Sequence, residues 1–139
     1  MPWQIYVDGA SSGNPGDSGA GMVISDGNGT EIYRGSVYLG KMTNNMAEYE
    51  ALLRGLQKAV EFGAQEVVAY TDSLLIANQV LGKYKINNDI LREYVVQVRK
   101  IIRNFAHFTI QYIPREQNRI ADKLAKGGIK KGVDGWSQA

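Results

Sequence analysis

Apolar positions in the first third of the chain fall in short runs, WQIYVD (3–8), GAGMVIS (19–25) and EIYRGSVYL (31–39), separated by Gly, Asn, Ser and Asp clusters such as SDGNGT. Short β-prone runs bounded by turn residues predict strands, and their brief connections predict a three-strand antiparallel meander. After residue 43 the period changes. Ala47, Ala51, Leu52, Leu56, Ala59 and Val60 recur at three- and four-residue steps, which predicts an amphipathic helix from Asn44 to Phe62 ended by Gly63. EVVAYTD (66–72) is almost wholly apolar and runs straight into the helical pattern SLLIANQVLG, as a buried parallel strand feeding a helix does. NDILREYVVQVRKIIRNF (88–105) predicts another amphipathic helix with Asn88 as N-cap. HFTIQYIP (107–114) predicts a last strand with Phe108, Ile110 and Tyr112 on one face, and a final helix is expected from about Arg115 to Lys126. The tail GGIKKGVDGWSQA shows little periodicity, so residues 1–127 are expected to form the domain and 128–139 a loosely ordered tail.

The order βββαβααβα predicts an α/β fold: a five-stranded mixed sheet, three antiparallel strands followed by two parallel ones, with helices on both faces. Ligands of such sheets gather at the carboxyl ends of the parallel strands. At 139 residues, 44% hydrophobic and 22% charged, the chain is most simply one globular domain. Its 16 basic and 14 acidic residues leave a net charge of only +2, so composition alone does not announce a nucleic-acid binder. The absence of cysteine excludes disulfides and thiolate chemistry. No apolar run approaches the roughly 20 residues that span a bilayer, and the expectation is a soluble, cytoplasmic protein with no membrane partner.

Four acids stand out by position: Asp8 at the end of the first strand, Glu48 at the start of the first helix, Asp72 at the end of the fourth strand, and Asp122 in the last helix. If strands one and four are parallel neighbours, Asp8 and Asp72 emerge side by side, where unpaired carboxylates repel and raise one another's pKa unless a cation neutralises them. A hard divalent ion such as Mg²⁺ or Mn²⁺ takes oxygen ligands of this kind. Each acid also has a plainer reading: Asp8 an Asx turn, Glu48 the N3 partner of an Asn45 cap, Asp72 a helix N-cap, Asp122 a solvated residue. Their joint occurrence is what those readings leave unexplained.

The stretches YVDGASSGNPGDSGAG, TNNMAEYEALLRGLQ, YTDSLLIANQV and YIPREQNRIADKLA, in this order, resemble type I ribonuclease H of the retroviral-integrase-like nuclease superfamily, over nearly the whole chain to about residue 127. The resemblance implies a ribonuclease H-like fold and a metal-dependent endonuclease, a monomer that hydrolyses the RNA strand of an RNA–DNA hybrid to 5′-phosphate and 3′-hydroxyl ends. It implies two Mg²⁺ or Mn²⁺ ions per site, with Asp8 shared between them, Asp122 on the ion that activates water, and Glu48 and Asp72 on the ion at the leaving oxygen. For the substrate it implies Gly9 and Ser11 near RNA 2′-hydroxyls, Asn14, Asn44 and Asn45 at the minor groove, and Thr43 near a DNA phosphate. Helix capping is the plainer reading of Asn44 and Asn45, and turn geometry that of Gly13 and Gly16. Two other functions fit the same fold: a non-catalytic binding module for hybrid or double-stranded RNA, and a nuclease that also cuts duplex RNA.

The chain departs from the family twice. Where many members carry a basic protrusion it has only GKYKINNDI, with Lys83 and Lys85, so Arg54, Lys58, Lys130 and Lys131 become candidates for gripping a hybrid. Where many carry a mobile His it has PREQN. Its one histidine, His107, is expected to open the last strand, and Arg115 is the candidate substitute at the phosphate, unless it only pairs with Glu116 or Glu48. Asn118, four residues before Asp122, is expected to orient that acid's site and to count among the substrate-binding residues.

Overall fold

The computed structural model describes the backbone of residues 1–138 and the side chains of residues 1–133. Its elements are β1 (Trp3–Ser11), β2 (Gly16–Ser25), β3 (Glu31–Met42), α1 (Asn44–Glu61), β4 (Glu66–Thr71), α2 (Leu74–Val80), α3 (Asp89–Ile102), β5 (His107–Tyr112), a single 3-10 turn (Arg115–Gln117) and α4 (Arg119–Gln138). The five strands form one sheet in the order β3-β2-β1-β4-β5. β1 and β3 flank β2 antiparallel, while β4 runs parallel to both β1 and β5. The predicted order of elements and sheet type are the observed ones.

Helix α1 forms because its apolar stripe fits one sheet face. Leu52 and Leu56 pack on Ile5, Val7, Met22 and Ile24, and Val95 and Val98 of α3 close the cluster from outside, all fully or nearly fully buried. Burial of each such side chain stabilises the fold by about 1.5–3 kcal/mol. Val60, expected on that stripe, is one-third exposed, and Tyr49 takes a buried place instead. The cap of α1 is Thr43, whose hydroxyl accepts from the Met46 N–H at 3.2 Å, rather than Asn45. Gly63, at φ +81°, turns the chain out of the helix in the left-handed region. Asn88 caps α3 as expected, accepting from the Leu91 N–H at 3.0 Å.

The other sheet face carries α4, which lies across β1, β2 and β3. Its backbone touches the sheet: a Cβ on Gly21 would sit 2.1 Å from the Ala121 carbonyl oxygen, and one on Gly128 2.4 Å from that of Val37. This contact corrects the expected helix end. α4 does not stop near Lys126 but continues through Gly127 and Gly128 to Gln138. Glycine costs a helix about 1 kcal/mol in intrinsic propensity; here the missing side chain is what lets helix and strand meet, and the packing offsets that cost.

Candidate active site

The site begins where β1 and β4 part. Their parallel pairing ends at Val7–Thr71, so Asp8 and Asp72 are the first residues beyond it on each strand. Asp8 is not the end of its strand, as the sequence suggested: β1 continues to Ser11 against β2, with Asp8 paired to Gly21. The carboxylate is thus fixed on a strand held from one side and freed on the other. Asp72 is likewise no N-cap, because Ser73 caps α2 by accepting from the Ile76 N–H at 3.2 Å.

Glu48 arrives from the first turns of α1, and the close approach of that helix depends on Gly9. A Cβ at Gly9 would lie 2.2 Å from the Ala47 carbonyl carbon and 2.3 Å from the Glu48 nitrogen. With no side chain in the way, the Gly9 N–H donates directly to Glu48 Oε1. One oxygen each of Asp8, Glu48 and Asp72 then lies within 4.8 Å of the others.

None of these three carboxylates has a salt bridge among the described residues. Asp8, only 5% exposed, is pushed up to about 11 by burial first and by the neighbouring Glu48 and Asp72 charges next. Burial likewise raises Glu48, to about 7, against the lowering effect of its hydrogen bonds to Asp8 and the Gly9 N–H. Such a cluster is stable in ionised form only with positive charge supplied from outside the chain. Its donors are all hard oxygens, which suits Mg²⁺- or Mn²⁺-type ions and not soft metals.

Asp122 completes the rim differently. Lys126 Nζ lies 3.1 Å from its Oδ2 and Arg115 donates to Oδ1 at 3.4 Å. Partial burial works to raise Asp122, but its hydrogen bonds to Lys126 and to Asp8, helped by the Lys126 and Arg115 charges, outweigh it and hold the carboxyl below its ordinary value. Arg115 therefore pairs with neither Glu116 nor Glu48, and it sits in the 3-10 turn ahead of α4. Lys126 was not foreseen, although an acid followed by a lysine at i+4 is a spacing that brings the two together on one helix face.

Asn118 is also placed differently from expectation. It is 1% exposed and its amide donates to the Val7 carbonyl at 2.9 Å and to Asp72 Oδ2 at 3.2 Å, so it orients Asp72 rather than Asp122. Of the residues expected at the substrate, Gly9, Ser11, Asn44 and Asn45 line the same open groove of about 470 Å³ as the four acids and Arg115. Asn14 and Thr43 are not among its lining residues. Asn14 Oδ1 accepts from the Asn44 N–H at 3.1 Å, Asn44 Oδ1 accepts from the Ser11 N–H at 3.2 Å, and Thr43 is occupied in capping. The turn after β1 and the start of α1 are thereby one hydrogen-bonded unit. Ser11 Oγ donates to the Met42 carbonyl at 3.0 Å, a bond within the fold.

The family described as reverse transcriptase-like matches residues 6–128 of the chain. Ribonuclease HI of Halobacterium salinarum is 38% identical over 124 residues, which cover 89% of this chain and 62% of that protein. The crystal structure of RNase H1 from that halophilic archaeon superposes with a TM-score of 0.91 at 35% identity, covering 94% of this chain and 99% of the other. The chain belongs to the ribonuclease HI family. Another ribonuclease H of similar shape, LC11-RNase H1 solved in complex with RNA/DNA hybrid, superposes with a TM-score of 0.89 at 38% identity over 94% of this chain and 99% of its own. This ribonuclease HI-type chain spans 62% of the length of the Halobacterium protein and 35% of the bifunctional protein Rv2228c of Mycobacterium tuberculosis, to which it is 36% identical. No helix among its described residues is long and apolar enough to cross a membrane.

Proposed function

We propose that this chain is a metal-dependent endonuclease that hydrolyses the RNA strand of RNA–DNA hybrids, leaving 5′-phosphate and 3′-hydroxyl ends. One observation carries the reading: three carboxylates converge within 4.8 Å without a cationic partner, in the groove that the Gly9–Ser11 backbone and the start of α1 also face. A protein that only bound a polyanion would gain nothing from that repulsive cluster.

Asp8, Glu48 and Asp72 would hold one Mg²⁺ or Mn²⁺ ion and Asp8 with Asp122 a second. Such ions, when bound, stabilise the charge that develops on the attacking and leaving oxygens of an in-line phosphoryl displacement. The chain's own residues prepare the site. The Gly9 N–H fixes one oxygen of Glu48, Asn118 fixes one of Asp72, and Lys126 and Arg115 hold Asp122 ionised. Arg115, exposed on the groove's rim, is the group placed to meet a substrate phosphate. Gly9 and Ser11, which line the groove, would approach the 2′-hydroxyls that distinguish RNA from DNA, and Asn44 and Asn45, also in its lining, would meet the minor groove. Action as a monomer in the cytoplasm completes this reading and rests on the family resemblance alone.

The decisive experiment incubates end-labelled RNA–DNA hybrid, duplex RNA, single-stranded RNA and duplex DNA with the protein and Mg²⁺, Mn²⁺ or Ca²⁺ in turn. The expected result is cleavage of the RNA strand of the hybrid alone, in Mg²⁺ or Mn²⁺. Hybrid bound and left intact with every ion would establish the binding-module reading instead, and cutting of duplex RNA would widen the substrate class.

A further inference from the structure

Beyond Asp122 a second hollow of about 420 Å³ opens, lined by Arg115, Glu116, Arg119, Asp122 and Lys126. Lys126 and Asp122 belong to both this hollow and the acid groove, so the two are continuous. From here positive charge runs along α4. Arg119, Lys123, Lys126 and Lys130 follow one another at steps of four, three and four residues, which places them within roughly 60° of the helix circumference along about 17 Å. All four are exposed, and the opposite side of the helix, Ala121, Ala125 and Gly128, is buried on the sheet.

Several other cations of the chain are already matched. Arg34 pairs with Glu31, Arg54 with Glu50, Lys58 with Glu61 and Arg92 with Asp89, while Lys131 turns aside to the Ser36 carbonyl. Among the described residues Arg119 and Lys123 have no acidic partner within 4.0 Å. The α4 ridge thus sets a line of exposed cations directly beside the repulsive acid cluster, whereas Lys41, Lys83, Lys85, Arg99, Lys100 and Arg103, which also lack a salt bridge, lie elsewhere in the fold. Apart from the half-exposed Ile120 and Val133, the apolar residues of α4 face the sheet, so the ridge offers a lipid surface little to bury.

We propose that the outer ridge of α4, Arg119, Lys123, Lys126 and Lys130, is the phosphate-tracking surface of this enzyme, holding successive phosphates of one strand of the hybrid as it leaves the cleavage groove. The assignment rests on the hybrid-cleaving reading given above. Charge complementarity selects the ligand, and continuity through Lys126 selects the strand that has just passed the acids. Lysines and arginines at these spacings position a backbone without reading its sequence, and each phosphate they neutralise releases counterions.

The test measures binding of labelled hybrid in Ca²⁺ from about 50 to 300 mM salt for the wild type, for Arg119→Gln/Lys123→Gln, and for Lys83→Gln/Lys85→Gln, which removes equal charge between α2 and α3. Loss of two phosphate contacts is expected to reduce the slope of log K against log salt by about 1.8 and to weaken binding at least ~10-fold at the low end. Turnover at saturating hybrid stays unchanged in that variant, while KM rises. Arg119→Lys/Lys123→Arg, which keeps the charge, keeps the wild-type slope and shows that charge and not folding is being read. An unchanged slope in the first variant, or an equal loss in the Lys83/Lys85 control, overturns the ridge. A wild type that binds hybrid with the full slope but does not cut it leaves the ridge standing and overturns the hydrolytic reading.

Discussion

Asp8 and Asp122 carry the same side chain, border the same groove and are treated in opposite ways. Asp8 is buried among Glu48 and Asp72 with no cation beside it and is pushed up to about 11. Asp122, on a helix edge, has Lys126 and Arg115 against its two oxygens and is held below its ordinary value. The strand side of the site is therefore incomplete without an added cation, whereas the helix side is already neutralised by the chain. That difference separates residues that create a demand for metal from residues that adjust how the demand is met, and variants on the two sides should fail differently.

The largest effect falls on Asp8. Asp8→Asn is expected to lower hydrolysis by on the order of 10³-fold or more while leaving hybrid binding in Ca²⁺. The same change should stabilise the metal-free protein. With a folded pKa far above the unfolded 3.8, Asp8 stays protonated in the fold where the unfolded chain has lost its proton, so wild-type stability falls as pH rises above 3.8. Glu48 adds to that fall up to about 7. Thermal melts in EDTA should show Asp8→Asn more stable at pH 7 by roughly 1–3 kcal/mol, with the gap closing toward pH 4. Divalent ion should raise the wild-type melting temperature more than the variant's. A variant less stable than wild type at neutral pH without metal would contradict the picture of an unneutralised cluster.

Gly9→Ala attacks the same side through packing. The added carbon would meet the α1 backbone at 2.2–2.3 Å, a contact that no rotamer relieves, so α1 must shift and carry Glu48 with it. A loss of about 2–4 kcal/mol and on the order of 10²-fold in turnover is expected, read by urea melts and by kcat. A stable, fully active Gly9→Ala would remove the steric reason for glycine here.

How much of this was legible in the sequence follows from the range of each interaction. Element order and the alignment of Asp8 with Asp72 came from local period and from the rule that a βα unit makes a parallel neighbour. Glu48 was found as an acid at a helix start, but its bond to the Gly9 N–H joins positions 39 residues apart and has no local signal. Gly9 was accordingly assigned to the substrate, when its immediate role is to let a helix touch a strand. Asn118 was tied to Asp122 because both lie near one helix; its partners Val7 and Asp72 are 111 and 46 residues away. Glycines 127 and 128 read as the end of order because breaker signals are statistical averages, and here the fold uses them as contact points.

Asn118 tests the boundary between the two sides, since it hangs from the start of α4 and reaches the strand acids. Asn118→Ala leaves the Val7 carbonyl unpaired in a buried place and frees Asp72 to rotate. The expected cost is about 1–3 kcal/mol in stability, with turnover down ~10-fold and hybrid KM little changed. Equal losses in kcat and in hybrid affinity would instead make it a substrate contact.

The smallest effect belongs to Lys126, and its direction is the sharpest check on the contrast. An exposed i,i+4 pair contributes only a few tenths of a kcal/mol, so Lys126→Gln should melt within about 0.5 kcal/mol of wild type. The effect lies in titration. Removing the Lys126 hydrogen bond and charge leaves the Asp8 hydrogen bond and the Arg115 charge to oppose burial, so the Asp122 pKa rises, and carboxyl NMR titration should show that rise. Because the lowered pKa stabilises the fold only above the unfolded value of 3.8, wild type and variant should differ above that pH and converge as pH falls through the folded pKa. Turnover at saturating hybrid should keep its maximum while KM rises with the loss of one ridge cation, and the acid limb should shift upward, further when Arg115→Gln is added. If Asp122 titrates unchanged without both Lys126 and Arg115, then the helix side is not neutralised by the chain, and both sides of the site depend on added metal in the same way.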